Sequence, residues 1–169
     1  APTRTMDETN ANPVTNAGAV FVYTKNEGTW ASTQILANTG VDSSPGDKIG
    51  SAVSADGNVL AVASYNHSYD DKGTNFMSGA GAVWIWRYFG TTPTWNLEQK
   101  IIPSDRAVGD NFGYSIFISN NTLIVGSPAK NNNTGAAYIF TRPSTTTDGT
   151  VNCWYETIAL NPTGTNASM

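Results

Sequence analysis

The sequence predicts an all-β protein assembled from a repeated unit of four antiparallel strands, and three observations carry that reading. An apolar hairpin pattern occurs twice, as Gly109 to Ser127 and as Gly46 to Ser64. A strand opened by glycine and alanine occurs three times, two of them with aromatic residues at the same two positions as the first. No amphipathic helix of useful length interrupts these patterns.

Residues 1–17 are polar, contain Pro2 and Pro13, and read as loop. The first strand is then Gly18-Ala19-Val20-Phe21-Val22-Tyr23. It returns as Gly81-Ala82-Val83-Trp84-Ile85-Trp86 and as Gly135-Ala136-Ala137-Tyr138-Ile139-Phe140. The fourth and sixth positions are aromatic and share one face of a period-2 strand. The third and fifth are aliphatic and share the other. A strand apolar on both faces belongs between two neighbouring sheets.

After each copy come a polar turn and a second strand led by tryptophan. The turns are Lys25 to Gly28, Phe89 to Pro93 and Ser144 to Thr150; the strands are Trp30 to Leu36, Trp95 to Ile102 and Trp154 to Leu160. These are more polar, as Trp95-Asn96-Leu97-Glu98-Gln99-Lys100-Ile101 shows, which suits an outer strand with one face in water. The hairpins supply two further strands each. In Gly109 to Ser127, Tyr114 to Ile118 and Leu123 to Val125 flank the Asn120-Asn121 turn. In the earlier copy, Ala52-Val53-Ser54 and Leu60 to Ser64 flank Asp56-Gly57-Asn58.

With the hairpin strands labelled A and B, the Gly-Ala strand C and the Trp strand D, the chain reads C-D, A-B-C-D, A-B-C-D. Four short antiparallel strands per repeat of roughly 54 to 63 residues indicate β-propeller blades, about two and a half of them. The expected divisions are an N-terminal loop (1–17), a half blade (18–45), blade 1 (46–104) and blade 2 (105–169). Propellers close with roughly four to eight blades, so this stretch is not a closed ring alone. The lone C-D resembles ring closure shared between two chain ends, with its A-B supplied by a further segment. A second copy has no spare A-B, because each A-B it holds is followed by its own C-D. The expected partners are therefore further blades of a longer chain, or other copies stacked openly. Uncovered blade edges favour association, so the chain is not expected to be a stable monomer.

Phe112-Gly113 opening strand A and Val125-Gly126-Ser127-Pro128 closing strand B resemble the FG-GAP repeat. Ile49-Gly50 and Val62-Ala63-Ser64 are a looser match to the same pattern. The resemblance implies integrin-α-like propeller blades, common in secreted and surface proteins. In that family an Asp-rich calcium loop joins strands A and B. Here Ala55-Asp56-Gly57-Asn58 and Asn120-Asn121 are too short to wrap a cation that takes six to eight oxygens, so no metal site is carried over.

Charged residues are only 13% of the chain, about half the usual share, and Asn, Thr, Ser and Gly supply the polar surface. That balance suits an extracellular or cell-surface protein. A net charge of −4 without a Lys/Arg cluster argues against nucleic acid as a partner. No apolar window reaches the roughly 18 residues of a membrane span, and no signal-peptide pattern opens the sequence. The single cysteine, Cys153, rules out an internal disulfide framework; beside Trp154 it reads as a packed thiol, with an intermolecular disulfide as the alternative.

Asp47 and Asp110 recur in Gly-Asp-x-x-Gly and are expected to accept backbone N–H bonds in the turn before strand A. The long B–C loop, Tyr65 to Ala80, holds Asn66, Ser68, Asp70 and Asp71, but no acidic residue follows at a spacing that completes a calcium loop. It reads as a solvated loop, with the only histidine, His67, exposed in it. One histidine without a nearby serine or cysteine nucleophile makes no triad, and neither carboxylate-pair, Asp-box nor phosphate-loop motifs occur. No cofactor is implied and no enzyme is expected. Four sequons, at Asn66, Asn120, Asn132 and Asn166, fall in expected loops and are candidate glycosylation sites. Ser144-Thr145-Thr146-Thr147 beside Pro143 is a candidate for O-glycans. The function these features suggest is a structural module of a surface filament, appendage or coat. The alternative is a ligand-recognition segment of an adhesion protein, with the B–C loop as its most distinctive surface.

Overall fold

The computed structural model describes residues 14–38, 43–89, 94–143 and 153–162. Most of the N-terminal loop, the turns at 90–93 and 144–150, the Ser144–Thr147 run and Asn166 lie outside those residues.

Among the described residues ten strands form three antiparallel sheets. Strands β1 (Val20–Asn26) and β2 (Thr29–Leu36) pair as a two-stranded sheet. Strands β3 (Ala52–Asp56), β4 (Val59–Ser64), β5 (Ala82–Phe89) and β6 (Thr94–Ile101) form a four-stranded sheet in chain order. Strands β7 (Ser115–Ser119), β8 (Thr122–Ser127), β9 (Ala136–Thr141) and β10 (Tyr155–Leu160) form another in the same order. These are the half blade and the two blades read from the sequence, and none of the sheets closes into a ring among the described residues.

Tight turns set the register. Asp56 pairs with Val59 and Ser119 with Thr122, so each hairpin turns on two residues. Those are Gly57 with its neighbour Asn58, and Asn120 with Asn121. Gly57 and Asn120 have φ of 56° and 53°, the left-handed region that glycine and asparagine reach most readily.

The alternation seen in the Gly-Ala strands decides how the sheets stack. Along β5, Trp84 and Trp86 face one way and join Val20, Val22 and Leu36 of the half blade in one core cluster. Val83 and Ile85 face the other way and join Phe112, Tyr138 and Phe140 of blade 2 in a second. Each blade thus turns its aromatic face back toward the preceding sheet and its aliphatic face forward. The Trp-led strands lie outermost. Leu97 is exposed, while Trp95 packs at the edge of the first cluster.

Polar contacts fix the same joints. Gln34 brackets the backbone of Trp95, donating to its carbonyl and accepting from its N–H, both at 2.7 Å. Gln99 does the same to Trp154 at 2.8 Å in each direction. Between blades 1 and 2, Ile118 N–H donates to Ser54 Oγ at 3.1 Å and Asn120 N–H donates to the Asp56 carboxylate. Glu98 of blade 1 sits between Arg87 of its own sheet and Arg142 of blade 2, the latter at 3.0 Å.

Candidate functional site

The chemistry-bearing side chains gather where strand B leaves each blade and the next strand A enters. Asp47 Oδ2 accepts the Ser44 N–H at 2.7 Å, and Asp110 Oδ2 accepts the Ala107 N–H at 2.7 Å. The recurring carboxylates therefore hold the turn before strand A, as their placement in Gly-Asp-x-x-Gly predicts. Ser64 and Ser127, at equivalent places, each donate a hydroxyl to the backbone carbonyl of the same aspartate.

A basic side chain sits against each carboxylate, and the sequence reading missed both. Lys130, only 5% exposed, places Nζ 2.9 Å from Asp110 Oδ2 and also donates to the Asp105 carbonyl. His67 holds the matching position beside Asp47. It is fully buried, which corrects the expectation of a surface histidine. The loop folds inward because the ring has three partners there. Its Nδ1 lies 3.1 Å from Asp47 Oδ2, close but off line for a hydrogen bond. Lys100 Nζ lies 2.9 Å from Nε2, and the Trp84 ring meets the imidazole edge-on at 5.0 Å. An ammonium can only donate, so Nε2 accepts and the ring proton sits on Nδ1, toward Asp47. The signal available in the sequence was the spacing: His67 follows Asp47 at the same interval as Lys130 follows Asp110.

The B–C loop is pinned rather than merely solvated. Arg106 donates to the carbonyls of Ser68 and Asn75, both at 3.0 Å, and Lys100 Nζ donates to the Asp70 carbonyl at 2.6 Å. The Asp70 carboxylate accepts from the Thr74 N–H at 2.8 Å and the Lys72 N–H at 3.1 Å. Those bonds, the Thr74 backbone first, lower its pKa to about 2. Asp70 thus closes its own turn. Asn66 donates its amide to the Gly46 carbonyl at 2.6 Å, and the Ser68 hydroxyl accepts the Gly79 N–H. Among the described residues no three His, Cys, Asp or Glu side chains gather as a metal site would require.

A cleft of about 490 Å³ opens beside this loop, lined in part by Asp70, Asp71, Lys100, Arg106, Trp154 and Glu156. Several of its charges are committed to structure. Glu156 accepts from the backbone N–H and hydroxyl of Ser104, while Arg106 and Lys100 hold the loop carbonyls. Tyr138 lies deeper, donating to Asp105 at 2.7 Å, and burial together with that bond pushes its phenol well above its usual range.

The remaining candidates fall as follows. Cys153 is exposed, against the expectation of a packed thiol: Trp154 takes the inward position at 3% exposure, and the strand begins only at Tyr155. Asn120 and Asn132 are exposed and lie in the left-handed region, with φ of 53° and 58°, whereas Asn66 is half-buried. Asn131, Asn132 and Asn133 are all left-handed, forming the single tight turn that takes the place of the long B–C loop in blade 2.

Fold and joints together define a set of open, four-stranded propeller-type blades. Residues 95–140 match the FG-GAP repeat family. That span runs from the start of β6 through β9, so the matched unit crosses the joint between the blades and contains Phe112-Gly113 and Val125-Gly126-Ser127. No curated protein matches the chain.

Proposed function

We propose that the chain is an extracellular structural module, made of FG-GAP-type blades, that assembles into a surface filament, appendage or coat. The observation that supports this reading most is the apolar surface exposed at the two ends of the stack of described sheets. On the half blade, Phe21 and Tyr23 are the C-strand aromatics that in both full blades pack against a preceding sheet, and they are 38% and 55% exposed. On blade 2 the forward face carries Phe117, Ile124, Ile158 and Leu160, all more than two-fifths exposed. Apolar faces of this extent mark interaction surfaces. This reading gives the buried Asp47–His67 and Asp110–Lys130 pairs a structural part and assigns no enzymatic activity.

Electron microscopy and light scattering of the purified chain test the proposal. Ordered polymers, or oligomers that grow with concentration, are expected. A monodisperse monomer at high concentration overturns it.

The pinned B–C loop favours a second reading, ligand recognition by a surface propeller. Under that reading, deleting Tyr69 to Asn75 abolishes adhesion and leaves assembly intact.

A further inference from the structure

The two internal joints share a rule. In the first, Gly18 meets Ile49 in an isolated parallel bridge, and Gly50, at φ 84°, lies under Ala19 and Val20. In the second, Gly81 meets Phe112 in the same kind of bridge, and Gly113, at φ 90°, lies against Ala63, Ala82 and Val83. A bulky apolar residue followed by a left-handed glycine thus enters each blade by dropping onto the Gly-Ala start of the preceding C strand. The fit leaves no room for a side chain on the receiving glycine. A Cβ on Gly18 would stand 2.2 Å from the Ile49 carbonyl oxygen, and one on Gly81 2.0 Å from that of Phe112.

Blade 2 repeats the receiving half of this joint. The positions equivalent to Gly81, Ala82, Val83 and Ala63 are Gly135, Ala136, Ala137 and Gly126. All four line one open cavity of about 520 Å³, which Tyr114 and Leu160 flank. Gly135 keeps the left-handed backbone, at φ 84°, although the nearest atom to a Cβ there is 3.5 Å away. Two of the four residues are smaller than their blade 1 counterparts. The sheet beside the cavity is also altered. Blade 1 presents Ser54, Ala61, Ile85 and Gln99 across its strands; blade 2 presents Phe117, Ile124, Ile139 and Ile158. The Gln latch and the serine acceptor are thus replaced by apolar surface.

We propose that this cavity is a docking socket for a partner polypeptide, taking a bulky apolar residue followed by glycine at the entry to a β-hairpin. The inference adds to the assembly role proposed above a site for a partner other than this chain, and it rests on that role. A second copy of this chain is not the occupant, because both of its apolar–Gly entries, Ile49-Gly50 and Phe112-Gly113, are already seated in its own joints. The partner brings its side chain into an apolar pocket and its backbone to Gly135, the mode in which buried aromatic anchors dominate binding.

The test titrates the full chain with a labelled synthetic peptide copying residues 107–127, and maps contacts by amide chemical shifts. Saturable binding is expected, with shifts at Gly126, Gly135 and Ala136 and none at Gly81. A peptide with Phe112→Ala and Gly113→Val should bind at least about tenfold more weakly, as should the protein variant Ala137→Trp, which fills the socket. Leu160→Asp at the exposed rim gives a second variant should Ala137→Trp fail to fold. Equal binding of both peptides, shifts confined to Phe21 and Tyr23, or no binding overturns the socket. Saturation by unlabelled chain in place of peptide assigns it to a second copy and overturns it too. Polymers by microscopy with no peptide binding reject the socket alone. A monomer that binds the peptide rejects the assembly role alone.

Discussion

Asp47 and Asp110 each accept a backbone N–H three residues upstream, and each lies against a buried basic side chain that differs between the repeats. The difference sets how much each carboxylate contributes. Lys130 Nζ is buried between Asp110 and the Asp105 groups, so Asp110→Asn leaves it with only the Asp105 groups to answer it. Breaking a buried pair in this way is expected to cost about 3 kcal/mol. Asp47→Asn removes a partner from an imidazole that need not be charged and should cost about 1 kcal/mol. Urea unfolding midpoints of the two variants give the order; equal losses contradict it. Asp70 behaves differently because it is only half-buried and its partners are backbone N–H groups of its own turn. Its pKa is depressed from 3.8 to about 2, so its contribution to loop order is present above pH 4 and is lost as the pH falls through 2. A carboxyl-carbon NMR titration should place its midpoint near pH 2, and a midpoint near 4 means the Thr74 turn is not formed. The turn role of both aspartates was legible from their recurrence. The burial of His67 was not, because nothing in Asn66-His67-Ser68 marks an inward side chain. Only the alignment of His67 with Lys130 reveals it, and that requires reading histidine and lysine as the same kind of partner.

At the level of elements, the strand pattern was legible because alternation and glycine punctuation agree: the Gly-Ala strands, their aromatic positions and the outer Trp strands all stand where the period-2 reading puts them. The joints were less legible. Gln34 and Gln99 look like ordinary polar residues of half-exposed strands, and their bonding to Trp95 and Trp154 appears only once the sheets are stacked. The receiving glycines carry a sharper prediction. Gly81→Ala forces a Cβ into the Phe112 carbonyl at a left-handed backbone, so the joint must open; a loss above about 3 kcal/mol is expected. Gly28→Ala is the control. It has nearly the same left-handed φ, 87° against 88°, with no atom within 4 Å, and should lose only about 1 to 2 kcal/mol. Thermal or urea unfolding separates the two, and similar losses would mean that backbone strain alone explains the glycine at 81.

For the whole molecule, the sequons separate by surroundings. Asn120 and Asn132 project from exposed turns, whereas the Asn66 amide nitrogen, the atom a glycan would join, already lies 2.6 Å from the Gly46 carbonyl oxygen. Expression in a glycosylating host should therefore modify Asn120 and Asn132 and leave Asn66 bare, as intact mass and peptide mapping before and after glycosidase treatment would reveal; a glycan on Asn66 contradicts this. The stacking also has a consequence for growth. Because each Gly-Ala strand offers aromatic rings backward and aliphatic side chains forward, the stack is a vector with two chemically distinct poles. A contact that joins one pole to the other is heterologous, and no twofold axis can relate the partners across it. Any polymer made by such contacts inherits that polarity, and its two tips add subunits at different rates.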